Sequence, residues 1–114
     1  MVRIYHNNRC SKSRATLALL QERGLTVEVV HYLETPPDAA QLSTLIAQLG
    51  LGARDLLRRG EAIYRELGLD DPSLGEDELI AAMVAHPILI ERPIVVAGNQ
   101  AAIGRPPEAV LSIL

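Results

Sequence analysis

The sequence predicts an α/β domain, on three observations. An apolar run from Val2 to His6 gives way to a helix-period segment. A second run rich in β-branched residues, Thr26 to Tyr32, follows Gly24. Near the C-terminus an apolar stretch turns back on itself at Gly98-Asn99. Strand, helix and strand in that spacing make a parallel pair joined by a right-handed crossover, and the late turn makes an antiparallel hairpin. The sheet is therefore expected to be mixed and four-stranded.

Taken in order, Val2 to His6 is the first strand. Ser11 to Arg23 is a helix with Leu17 and Leu20 at helical spacing, ended by Gly24. Thr26 to Tyr32 is the second strand. Pro36-Pro37-Asp38 opens a second helix that carries Leu42, Leu45, Ile46 and Leu49 on one face and closes at Gly50. Two short helical pieces are expected around Arg54 to Arg59 and Ala62 to Leu67. Glu76 to Ala85 makes a longer helix whose acidic first turn suits the helix dipole. Leu89 to Ala97 reads as an apolar strand interrupted by Pro93, and Gly98-Asn99 leads to a partner strand through Ile103. Pro106-Pro107 start a last helix that runs to Leu114.

Length and composition narrow the function classes. The 114 residues suit one domain, residues 1–114, with a helical insertion at about 38–86. A net charge of -3, with three tyrosines and no Phe or Trp, disfavours a nucleic-acid surface. No apolar run approaches the roughly 20 residues of a membrane helix and none has the form of a signal peptide, so a cytoplasmic protein is expected, and with no obvious exposed apolar stripe a monomer. A single cysteine cannot form an internal disulfide, so any redox turnover must borrow its second sulfur.

That cysteine, Cys10, sits in HNNRCSKSR, between the first strand and the first helix. Unpaired N–H groups and the positive dipole end at a helix start favour a thiolate. His6, Arg9, Lys12 and Arg14 add positive potential, so the thiol is expected to ionise below the roughly 8.5 of a free cysteine. The plainer alternative is a small buried hydrophobe in a strand-to-helix turn. A phosphatase loop fits poorly, because Arg14 follows Cys10 by four positions with no glycine between them. His6, Cys10, His31 and His86 lack the clustered spacing of a zinc site, and no metal is expected.

The element order, βαβ, then helices, then a β-hairpin and a closing helix, is the plan of a thioredoxin-like domain with helices inserted in its middle. On that plan the reactive cysteine follows the first strand, where Cys10 is. The proline that opens the third strand is Pro93, and the Arg92–Pro93 bond is expected to be cis.

YHNNRCSKSR, HYLETPP, LLRRGE with YRELGL, and AHPILIERPIVV followed by IGRPPE together resemble the glutaredoxin-coupled arsenate reductase family along essentially the whole chain. The resemblance implies Cys10 as nucleophile and His6 as the histidine that helps ionise it. It implies Arg58, Arg92 and Arg105 as ligands of a tetrahedral oxyanion, with Ser13 and Arg14 completing the CxxSR loop. Asn8 stands where many members have proline. The implied reaction is reduction of arsenate to arsenite through a covalent cysteine adduct. Glutathione is the implied co-substrate, glutaredoxin the partner, and no cofactor is tightly bound. A different class of function on the same scaffold is a non-enzymatic, redox-linked regulator that binds a protein partner such as RNA polymerase. Such regulators typically carry a second cysteine where Ser13 stands, and would have no reason to keep all three arginines.

Overall fold

The computed structural model describes residues 2–114. These fall into two compact units, one running to Thr35 and resuming over Arg92–Leu114, the other Pro36–Glu91.

The first unit holds the whole sheet, and its fold is thioredoxin-like. Strand β1, Val2–His6, pairs in parallel with β2, Val27–His31, through helix α1, Ser11–Glu22. β1 also pairs antiparallel with β3, Ile94–Ala97, which turns at Gly98 (φ 62°) into β4, Gln100–Ile103. The strand order is β2-β1-β3-β4, a mixed four-stranded sheet as expected. α1 ends where Gly24 takes a left-handed φ of 71°, a conformation glycine adopts without steric penalty.

Val2, Ile4, Leu20, Val95 and Val110 form the apolar core of this unit. Each fully buried aliphatic side chain contributes about 1.5–3 kcal/mol by leaving water. α1 changes character along its length. Leu20 near its C-terminal end is apolar and buried, whereas the buried residues of its first turns are Ser13 and Thr16. A polar buried face at the start of a helix needs internal partners, and they define the site described below.

The second unit contains helices α2, Ala39–Leu49, α3, Ala53–Leu56, α4, Ala62–Glu66, and α5, Glu76–Ala85. Asp38 caps α2 in a reciprocal box: its carboxylate accepts the Gln41 N–H at 2.8 Å, and the Asp38 N–H donates to Gln41 Oε1 at 2.9 Å. The Glu76 carboxylate accepts the Ala53 N–H at 3.0 Å, which caps α3 from the start of α5. Leu42, Leu56, Met83 and Leu89 are fully buried.

Three expectations need correction. The helical piece expected over Arg54 to Arg59 stops at Leu56. Leu57 is extended and forms an isolated bridge with Ile90, leaving Arg58 and Arg59 outside any helix. The strand expected from Leu89 begins only at Ile94. Pro87–Leu89 is a 3-10 turn, and Pro93 lacks the N–H a ladder needs. The closing helix, Pro107–Ile113, is 3-10 rather than α. It packs on α1 and β4 through the buried Val110, so tertiary contact accompanies a geometry that rarely persists for so many residues.

Candidate active site

Cys10 is the N-cap of α1, with an extended backbone (φ -96°, ψ 121°) that leaves the first helical N–H groups without intrahelical acceptors. The side chain is 9% exposed and is a free thiol. Burial pushes its pKa up. The donor groups facing the sulfur, first the backbone N–H of Ser13, then the Arg92 guanidinium and the backbone N–H of Lys12, pull it down, and the positive charge of Arg92 adds to them. The net result lies below the ordinary thiol value.

Arg105 completes the cationic side of the sulfur. Its Nη2 donates to Cys10 Sγ at 3.4 Å while its Nε donates to the Arg92 carbonyl at 2.8 Å. Two segments distant in sequence thereby meet over the thiol. The Arg92–Pro93 bond is cis, as the thioredoxin-like plan suggested, and a second cis bond, Arg105–Pro106, was not foreseen. The Gly104 N–H donates to the Pro93 carbonyl at 3.0 Å. A Cβ on Gly104 would lie 2.5 Å from Thr16 Oγ1 and 2.8 Å from Pro93 Cγ, so the chain just before Arg105 can approach this closely only as glycine.

Behind the sulfur lies a buried polar network. Ser13 Oγ accepts the Asn7 N–H at 3.0 Å and lies 2.7 Å from His6 Nδ1, while His6 Nε2 lies 2.8 Å from Asn8 Oδ1. His6 is 2% exposed and Ser13 is 0% exposed. The His6 hydrogen bonds run to Ser13 and Asn8, and neither goes to Cys10. The hydrogen-bonded route from His6 to the helix that Cys10 caps therefore runs through Ser13. Arg14 Nη1 donates to the Asn8 carbonyl at 2.8 Å, and the Arg9 N–H donates to Asn7 Oδ1 at 3.0 Å, so the loop is tied at both ends.

Arg58 belongs to the second unit. There its Nε donates to Glu61 at 3.2 Å and its Nη1 to Glu91 at 2.5 Å. Burial disfavours its charge, but Glu91 and Glu61 outweigh that and strengthen its hold on the proton. Of the expected site residues, Cys10, His6, Ser13, Arg14, Arg92, Pro93 and Arg105 lie within the first unit. Reading the residues alone missed Asn7 and Asn8. The signal available was their type, since asparagine folds back on its own loop in turns.

An open cleft of about 430 Å³ adjoins the loop, lined by His6, Asn8, Arg9, His31 and Glu34 among others. The rings of His6 and His31 meet edge to face with centroids 5.8 Å apart. Among the described residues, no group of His, Cys, Asp and Glu side chains is gathered to hold a metal, and no helix is long and apolar enough to cross a membrane.

A thioredoxin-like fold that seats one cationically surrounded thiol at a helix start, with no second cysteine, defines a class of single-thiol thioredoxin-like proteins. Residues 5–113 match the ArsC family, and the chain belongs to it. It is 60% identical to the uncharacterized protein YfgD of Escherichia coli over 99% of this chain and 96% of that one. It is 52% identical to a protein named arsenate reductase from Neisseria meningitidis over 99% of this chain and 97% of the relative. The solved structure of an arsenate reductase from Vibrio cholerae superposes with a TM-score of 0.97 at 55% identity, covering 99% of this chain and 97% of that chain.

Proposed function

We propose that this protein is an arsenate reductase that works through a covalent adduct at Cys10, with glutathione and glutaredoxin supplying electrons in the cytoplasm. The observation that carries the reading is the Cys10 sulfur itself. Its pKa is lowered by the backbone N–H groups of Ser13 and Lys12 and by Arg92, and Arg105 Nη2 donates to it at 3.4 Å.

A thiolate and an arsenate oxyanion repel each other, and guanidinium groups beside the sulfur offset that repulsion while binding the oxyanion oxygens bidentately. Attack of the thiolate on arsenic forms an S–As bond and breaks an As–O bond, and the departing oxygen leaves as water after taking up protons. Attack by a glutathione thiol and reduction through glutaredoxin complete the cycle. Overall, arsenic gains two electrons, two thiols are oxidised to a disulfide, and one oxygen leaves as water. In this reading Arg92 and Arg105 hold the oxyanion, with Arg58 as the third ligand. Ser13 and Arg14 shape the loop that receives the oxyanion, and His6 supports the thiolate through Ser13.

The test is arsenate-dependent NADPH oxidation by the purified protein with glutathione, glutaredoxin and glutathione reductase. Turnover that disappears in Cys10→Ser is the expected result. A reduced native protein that consumes no NADPH would overturn the reading and favour a non-enzymatic regulator or adaptor.

A further inference from the structure

We infer that Asn8 is a positioning residue that holds His6 as the Nε2–H imidazole, and through it keeps Ser13 in place in the first turn of the helix that Cys10 caps. The tautomer follows from hydrogen-bond accounting. The Asn7 backbone N–H can only donate, so Ser13 Oγ accepts there, at 3.0 Å. Ser13 is fully buried, and its own O–H must then go to the other partner within reach, His6 Nδ1 at 2.7 Å. An Nδ1–H imidazole would leave that hydroxyl buried without an acceptor, a costly arrangement. His6 Nδ1 is therefore bare, the ring proton sits on Nε2, and it donates to Asn8 Oδ1 at 2.8 Å.

Asn8 is held for this task at its other end as well, because its carbonyl accepts Nη1 of Arg14. Asn8 also lines the cleft together with His6. Without the Asn8 oxygen, cleft water reaches Nε2 and the ring no longer has a fixed partner on that side. Ser13 feels the change through Nδ1, and Ser13 is the third residue of the helix that Cys10 caps, so its placement sets the first turn beside the sulfur. Asn8 thus acts through two intermediaries, His6 and Ser13.

The inference rests on Cys10 being the nucleophile but not on arsenate, so the readout is alkylation of Cys10 by iodoacetamide at pH 7. Asn8→Ala is expected to slow it about fivefold, the size of one lost hydrogen bond. In a His6→Gln background the same change is expected to have no further effect, because Asn8 acts only through His6. Nitrogen-15 NMR of the native protein is expected to show His6 protonated on Nε2, with that proton's signal lost to exchange in Asn8→Ala. An unchanged alkylation rate, a slowing that adds in full to that of His6→Gln, or a native spectrum with the proton on Nδ1 would each overturn the inference. If Asn8→Ala does not fold, the native spectrum decides alone. A protein inert to arsenate but with these alkylation results would sink the proposed reaction and leave the role of Asn8 standing.

Discussion

Arginine is used in two ways in the two units. In the first, Arg105 donates a hydrogen bond to the sulfur of Cys10, and Arg92 helps lower the pKa of that group, which is neutral until it ionises. In the second, Arg58 is clamped by the carboxylates of Glu61 and Glu91. A guanidinium beside a thiol creates a need for an anion, because ionisation of the thiol and arrival of an oxyanion are both favoured there. A guanidinium between two carboxylates has met that need internally, and an incoming anion must compete for it. Residue type alone does not distinguish the two uses. The partners do.

The largest expected effect is on Cys10. Cys10→Ser should abolish arsenate-dependent NADPH oxidation, because no second thiol in the chain can replace it. Arg92→Ala should come next, lowering arsenate turnover by about a hundredfold, the scale of one lost charge-assisted donor at a reacting centre. It should also move the pH profile of Cys10 alkylation upward. Arg58→Ala should do less than Arg92→Ala and act mainly on the arsenate concentration needed for half-maximal rate. Equal losses in the two variants would erase the distinction between the units.

Stability measurements sharpen the same comparison. Gly104→Ala should cost about 1–3 kcal/mol by urea unfolding, since its new methyl overlaps Thr16 and Pro93. Asp38→Ala removes the α2 cap and should cost about 1 kcal/mol. Breaking the partly exposed pair with Glu91→Gln should cost about 1 kcal/mol or less. The lowered pKa of Cys10 also has a sign in stability. The folded protein releases this proton at lower pH than the unfolded chain, so the contribution is fully present above the unfolded value of about 8.5. It is lost as pH falls through the folded value, and Cys10→Ser should flatten that part of the curve.

Much of this was legible from sequence where local chemistry decides. The bounds of β1 and α5 were read as they stand, because an apolar β-branched run and an acidic helix start are local signals. The position of Cys10 at the head of α1 was legible for the same reason. The 3-10 turn at Pro87–Leu89 and the end of α3 at Leu56 were not, since the Leu57–Ile90 bridge that accompanies them joins residues far apart in the chain. Glu91 lies 33 residues from Arg58, so no spacing rule could reveal that ion pair. The network of Asn7, Asn8, Ser13 and His6 is local in sequence. Even so, the directions of its hydrogen bonds emerge only once Ser13 is seen to be buried.

The central claim is that Cys10 is a primed thiolate beside an oxyanion seat. It is tested most directly by the rate of Cys10 alkylation across pH, measured with and without arsenate. The account predicts a midpoint below the free-thiol value of about 8.5 and slower alkylation when arsenate is present. A midpoint at or above that value, with no protection by arsenate, would contradict it.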